Sequence, residues 1–180
     1  MMTVSELKKI IGREFKNCLQ PLKELSLDSA NNVAMVNRGE RFHNYDRMAD
    51  IVYRGENKPK TPDMIYFKRD TLVFVEFKNG KIGPATREQI KLKAIEGGFI
   101  VLYRIISTFS EIDFSDIYQI DKSYIVVYHT EKNPIDAIHG HLYSRETRFG
   151  LEIYEGIFFK RIKTVSPQVF ISLLTGKGEE

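Results

Sequence analysis

A chain of 180 residues, 42% hydrophobic and 28% charged, is long enough for one domain with a substantial core, and these proportions exclude a disordered or membrane-embedded class. Its 27 Lys and Arg against 24 Asp and Glu leave a net charge of +3, too mild to declare a nucleic-acid binder by itself. The lone cysteine, Cys18, excludes an intrachain disulfide and argues against a cysteine zinc site, so an intracellular, cytoplasmic protein is expected. The opening MMTVSELKKIIGREF scatters charge among its apolar residues, unlike a signal peptide, and the apolar runs are of strand length, so no membrane association is expected.

In chain order, residues 3–20 read as a helix capped by Thr3 or Ser5, with Val4, Leu7, Ile11, Phe15 and Cys18 on one side. Glu14 falls inside that apolar arc, where a lone carboxylate is costly. Either it points at a cation, or the helix rolls and leaves it at the rim. Residues 21–32 read as the end of the helix and a turn, 33–36 as a weak strand, and 37–48 as an exposed basic loop. His43, Asp46 and Asp50 have the chemistry of metal ligands, but their ordinary role in such a setting is solvated surface. Residues 49–54 read as a strand and 55–60 as a turn.

Residues 61–78, TPDMIYFKRDTLVFVEFK, organise the chain. Two β-branched and aromatic runs joined by Arg69-Asp70 read as a hairpin. With those two residues as its loop, Phe67 faces Leu72, Ile65 faces Phe74 and Asp63 faces Glu76, with Cβ atoms of opposed pairs about 4.5 to 5.5 Å apart. Side chains on a strand alternate, which puts Leu72, Phe74, Glu76 and Lys78 on one face and Val73, Val75 and Phe77 on the other. A strand apolar on both faces is central and covered. Glu76 and Lys78 then stand where apolar cover gives way to a polar site, and Asp63 and Glu76 repel unless a cation or proton intervenes.

Beyond a loop at 79–85, residues 86–96 read as a helix closed by Gly97-Gly98, with Gln89 and Lys93 on one face. Gln89 either completes a capping box with Thr86 or, with Lys91 or Lys93, reaches a phosphate near the carboxylates. Residues 99–105 read as a buried strand parallel to 72–78 through a right-handed crossover. Residues 106–122 are irregular and acidic, and 124–128 form a strand. His139 and His141 read as loop residues. Residues 147–154 and 157–163 form a hairpin turning at Glu155-Gly156, Ser166-Pro167 starts a closing helix to residue 174, and the charged tail is frayed.

Pro62-Asp63 followed by Glu76-Phe77-Lys78, on a hairpin with a helix before it and a helix and strand after it, resembles the PD-(D/E)XK nuclease superfamily. The resemblance covers residues 3–106, with 107–180 as an extension of the same single domain. It implies an α/β (α+β) fold: a restriction-endonuclease-like core with a central mixed sheet flanked by helices in the order αβββαβ, then a β-hairpin and helix. The implied activity is that of a metal-dependent nuclease, a DNA endonuclease of repair, recombination or defence. Asp63, Glu76 and the backbone carbonyl of Phe77 would ligate Mg²⁺, or Mn²⁺ in its place, and Lys78 would orient or activate the attacking water. Glu14 resembles a first-helix Glu ligand of some branches, and Gln89 a Gln that others carry after the Lys.

Lys81, Arg87, Lys91 and Lys93 are the candidate nucleic-acid contacts within a basic surround, DNA being favoured over RNA, and many relatives act as homodimers. Viral cap-snatching endonucleases add a His on an early helix; His43, in a loop-like context, matches that poorly. Two other readings stay open. One is a catalytically silent nucleic-acid-binding or assembly protein on the same fold. The other is an unrelated α+β domain in which Asp63 caps a turn and Glu76 and Lys78 are a plain ion pair.

Overall fold

The structure is a computed structural model that describes residues 2–28, 31–55, 57–134 and 147–176. It is an α/β protein built on a mixed six-stranded sheet flanked by helices. His139, His141 and the end of the charged tail lie outside the described residues.

The first helix, α1 (Val4–Glu14), is capped by Thr3, whose side chain accepts from the Glu6 amide while the Glu6 carboxylate accepts from the Thr3 amide. It buries Leu7 and Ile11, as its periodicity predicts, but stops at Glu14 instead of running to residue 20. A 3₁₀ turn (Lys16–Cys18) then leads into β1 (Leu19–Pro21), a one-turn helix α2 (Leu22–Leu25) and a small separate ribbon of β2 (Leu27–Asp28) and β3 (Val33–Ala34).

Residues 41–54 depart from the sequence reading. The supposed loop contains β4 (Arg41–Asn44), which carries His43, and the supposed strand at 49–54 belongs to helix α3 (Tyr45–Tyr53). Its buried side chains, Tyr45, Met48, Ala49 and Val52, recur at helical spacing, and the Asn44 side chain caps its start by accepting from the Arg47 amide. Ile51 and Val52 look like strand residues by type; the stripe and the cap outweigh that preference.

The hairpin of β5 (Met64–Lys68) and β6 (Thr71–Lys78) has the expected register, with Phe67 opposite Leu72 and Ile65 opposite Phe74. From β6 the chain enters one long helical stretch: α4 (Pro84–Leu92), a π-helical segment (Lys93–Val101) and α5 (Leu102–Ser107). The expected strand at 99–105 is therefore helix. Gly98, Val101, Leu102, Ile105 and Ile106 are all buried while Ile100 and Arg104 are exposed, which is a helical stripe hidden in a short apolar run. Gly97 and Gly98 do not end the helix but let it pack closely, against Pro62 and Phe159. Nor does Thr86 cap it, since Gly83 is the N-cap and Pro84 opens the first turn.

The parallel partner of β6 comes later. After a short helix α6 (Asp116–Gln119), β7 (Lys122–Tyr128) pairs parallel with β6, and β8 (Arg161–Val165) pairs parallel with β7. Residues 147–163 are thus not a hairpin: a 3₁₀ turn (Glu152–Tyr154) precedes a strand that joins the main sheet. Helix α7 (Pro167–Thr175), capped by Ser166, closes the described chain. The sheet order is β1-β4-β5-β6-β7-β8, so residues beyond 106 supply two of its strands.

Helices α1, α3 and the long helical stretch cover one face of the sheet, around Phe74, Tyr124 and Phe159. The other face, with Val73, Val75 and Phe77, is covered by α2 and α7. This makes β6 the central strand that its two apolar faces predicted. No helix among the described residues is long and apolar enough to cross a membrane.

Candidate active site

Glu76 continues the series Leu72, Phe74 on the face of β6 that meets the long helix, and its side chain is fully buried. Asp63 lies just before β5, one position past the end of the ladder at Met64 opposite Val75. The Asp63 amide donates to the Val75 carbonyl at 3.0 Å, and the Phe77 amide donates to Asp63 Oδ2 at 2.6 Å. One carboxylate oxygen is thereby fixed on β6, leaving Oδ1 facing the site. Within a strand a residue's amide and carbonyl point to the same edge, so the Phe77 carbonyl also looks past the end of β5.

Two ammonium groups meet the buried carboxylate. Lys78 Nζ lies 2.7 Å from Glu76 Oε1. Lys93 Nζ, at the first residue of the π-helical segment, donates to Glu76 Oε1 at 2.8 Å, to Oε2 at 2.9 Å and to Asp63 Oδ1 at 3.4 Å. Asp63 and Glu76 therefore meet at one ammonium group.

The helix carrying Lys93 is pinned to the segment before Asp63. The Tyr45 hydroxyl donates to the Gly97 carbonyl at 2.7 Å, and the Lys60 amide donates to Glu96 Oε2 at 2.5 Å. A Cβ at Gly97 would stand 2.4 Å from Pro62 Cδ, so only glycine lets the helix come this close.

Burial, reinforced by the Asp63 carboxylate, pushes the Glu76 carboxyl up to about 7, with Lys93 and Lys78 pulling the other way. Burial alone would lower Lys93, but Asp63 and Glu76 outweigh it and hold the ammonium well above the ordinary lysine range. The Tyr124 hydroxyl is buried with no hydrogen-bond partner among the described residues, and burial followed by the charges of Glu76 and Asp63 raises it well above an ordinary phenol.

Glu76 makes stability depend on pH in a definite direction. Between the ordinary value of 4.5 and about 7 the native state holds more proton than the unfolded chain, so stability falls as pH rises through that window. The loss from this one group is on the order of 3 kcal/mol. Urea unfolding across the pH range is expected to show this slope in the wild type and not in Glu76→Gln; equal slopes would place the Glu76 carboxyl in a polar setting.

The remaining sequence candidates are placed elsewhere. Glu14 is half-buried at the end of α1 and pairs with its neighbour Arg13. Gln89 is exposed on α4, as are Arg87 and, in the preceding loop, Lys81. Lys91 pairs with Glu88 at 2.9 Å and packs beside Gly150. Of the four basic candidates, only Lys93 enters the site, and it does so between the acids. His43 is half-buried in β4 opposite Ile65, its Nε2 is without a hydrogen-bond partner among the described residues, and burial lowers its pKa.

Sequence reasoning underrated Asp46 and gave no role to Asn44 or Thr61. A cavity of 640 Å³ opens beside the cluster, lined by Asp63 and Lys93 and also by Asn44, Asp46, Lys58 and Thr61. Lys58 Nζ bonds Asp46 at 2.7 Å and Asp50 at 2.5 Å, and the Thr61 hydroxyl donates to Asp46. The usable signal was Asn44 as a helix cap, which turns Asp46 from a loop residue into one in the first turn of α3. Another cavity, of 390 Å³, opens on the opposite sheet face beside Tyr66, Val73, Ile125 and Leu173, away from the carboxylates.

No family model, no curated protein and no solved structure matches the chain. Function is therefore argued from the cluster itself. Among the described residues no group of three or more His, Cys, Asp or Glu is arranged to hold a metal ion. The converging donors are two carboxylates and a strand-edge carbonyl. That set fits Mg²⁺, which takes hard oxygens, keeps most of its waters and needs only one or two protein carboxylates. Convergence of Asp63 and Glu76 on a single cation, Lys93 Nζ, is the observation that supports the fit.

Proposed function

We propose that the protein is a metal-dependent nuclease of the PD-(D/E)XK type that hydrolyses phosphodiester bonds, with DNA as the favoured substrate. The carrying observation is that Asp63 and Glu76 share one cation while Lys78 lies 2.7 Å from Glu76 on the same strand face. Part of the order of elements supports this reading: α1, then, after β1, α2, β2 and β3, the antiparallel strands β4, β5 and β6 with α3 between the first two, then a long helix and β7 parallel to β6.

Asp63, Glu76 and the Phe77 carbonyl would hold Mg²⁺ or Mn²⁺. When bound, the ion polarises a phosphate and lowers the pKa of its water. The chain's own residues do the rest. Asp63 is oriented by the Phe77 amide, so its free oxygen is preset. Glu76 sits in a dry setting, which strengthens every charge interaction it makes. Lys78, about a fifth exposed, places an ammonium at the rim, where it stabilises negative charge developing on a phosphate or steadies the attacking water. Lys60 lines the adjoining cavity and offers a positive charge to a polyanion, while Lys58 beside it is held by Asp46 and Asp50.

With Mg²⁺ or Mn²⁺ present, the purified protein is expected to nick supercoiled DNA, and Lys78→Ala to lose that activity with an unchanged circular dichroism spectrum. Full activity in Lys78→Ala would remove this residue from the mechanism.

One observation favours a second reading. Lys93 already bridges both acids and, with Lys78, balances their charge, as a permanent substitute for a metal would in a catalytically silent nucleic-acid-binding or assembly protein. That protein would bind nucleic acid without cutting it, and neither Mg²⁺ nor Mn²⁺ would shift its melting temperature.

A further inference from the structure

We infer that Lys93 is an exchangeable cation, which occupies the metal position in the free protein and leaves it for a substrate phosphate, so that metal and nucleic acid bind cooperatively. The inference rests on the nuclease reading and adds a form of regulation to it. Asp63, Glu76, Lys78 and Lys93 together are formally neutral. A divalent ion added to that cluster with both lysines in place would leave a net charge of +2 against a fully buried carboxylate. Like charges sharing the same oxygens in a poorly solvated site repel strongly. Lys93 Nζ contacts both oxygens of Glu76 and the free oxygen of Asp63, the same atoms an ion would take. Metal and ammonium are therefore alternatives.

The displaced group has a path. Lys93 is a flexible four-carbon chain, about a fifth exposed, that lines the 640 Å³ cavity beside Asp63. Lys78 lies beside Glu76 Oε1 from the same strand face, so it can stay beside Glu76 while an ion takes the place of Lys93. In the cavity the local acids are of little use to a displaced ammonium, because Asp46 is already bonded to Lys58 and Thr61, and Glu24 is exposed, where an ion pair is worth little. A phosphate of a bound nucleic acid is the better acceptor, since its charge brings a new partner into the cleft. Nucleic acid then favours metal by drawing Lys93 away, and by linkage metal favours nucleic acid to the same extent.

The test is Mn²⁺ binding followed by the electron paramagnetic resonance signal of free Mn²⁺ at pH 8, with and without a phosphorothioate oligonucleotide whose own Mn²⁺ binding is subtracted. The oligonucleotide is expected to tighten Mn²⁺ binding to the wild type by about tenfold or more, within the usual range of coupling between sites. Lys93→Met is expected to bind Mn²⁺ tightly without oligonucleotide and to show no further gain with it. Mn²⁺ affinity of the wild type unchanged by oligonucleotide would overturn the exchange while leaving the metal site standing. That arm uses wild-type protein alone, so it decides the matter even where Lys93→Met does not fold. Absence of saturable Mn²⁺ binding to both proteins, with and without oligonucleotide, would overturn the metal-dependent reading and the exchange with it.

Discussion

Asp63→Asn is expected to lower metal-dependent cleavage by about a hundred- to ten-thousandfold, the usual effect of losing one charged group that acts in the transition state. Its fold should survive. The asparagine side chain keeps an oxygen that can accept from the Phe77 amide, so the bond that fixes residue 63 on β6 is preserved. What disappears is the negative charge facing Lys93 Nζ at 3.4 Å, a contact at a partly exposed side chain. Cleavage rates in Mg²⁺ measured beside a thermal melt separate the two effects. A variant that melts like the wild type but has lost cleavage places Asp63 in the chemistry. Undiminished cleavage would exclude it as a ligand.

Gly97→Val is expected to destabilise by about 3 kcal/mol, as forced overpacking does. Even the first added carbon would collide with Pro62 Cδ, a side-chain atom that ring closure onto the backbone nitrogen keeps from turning aside. Relief requires the helix to back away from residues 60–63, which breaks the Tyr45 to Gly97 and Lys60 to Glu96 bonds and draws Lys93 off the acids. Gly12→Ala makes the contrast, because nothing lies within 4 Å of its added carbon and the helix gains up to about 1 kcal/mol from alanine. Urea unfolding of the two variants tests the packing argument; equal stabilities would refute it.

The hairpin was legible because three local signals agree there: β-branched and aromatic residues, a two-residue polar loop, and alternation that puts Glu76 and Lys78 on one face. Its register followed from loop length alone. The strand read at 124–128, within the observed Lys122–Tyr128, and the closing helix were legible for similar reasons, the latter through Ser166-Pro167 as cap and first turn. The errors cluster where short apolar runs carry no period of their own. Residues 49–54 and 99–105 are rich in Ile and Val and read as strands, and only a longer window shows the helical stripes through Tyr45–Met48–Val52 and Gly98–Leu102–Ile105. Misreading the second sent β6 to the wrong parallel partner and hid β7 and β8 from the sheet.

At the site, sequence could place Asp63 and Glu76 together because Asp63 directly precedes the strand that pairs with the strand of Glu76, where register converts numbering into distance. It had no such ruler for helices. Glu14 lies on a helix whose roll turns it to Arg13, and Lys93 enters the cluster only because Gly97 allows the next turn to close on Pro62. Both are facts of tertiary packing, which no local pattern states.

The most direct measurement is a cleavage panel: supercoiled, linear, branched and single-stranded DNA, and RNA, each incubated with wild-type protein and Mg²⁺ or Mn²⁺. Cleavage of at least one substrate, abolished by chelating the metal and absent in Lys78→Ala, is the predicted result. Wild-type protein that leaves every substrate intact with both metals would contradict a nuclease built on Asp63, Glu76 and Lys78.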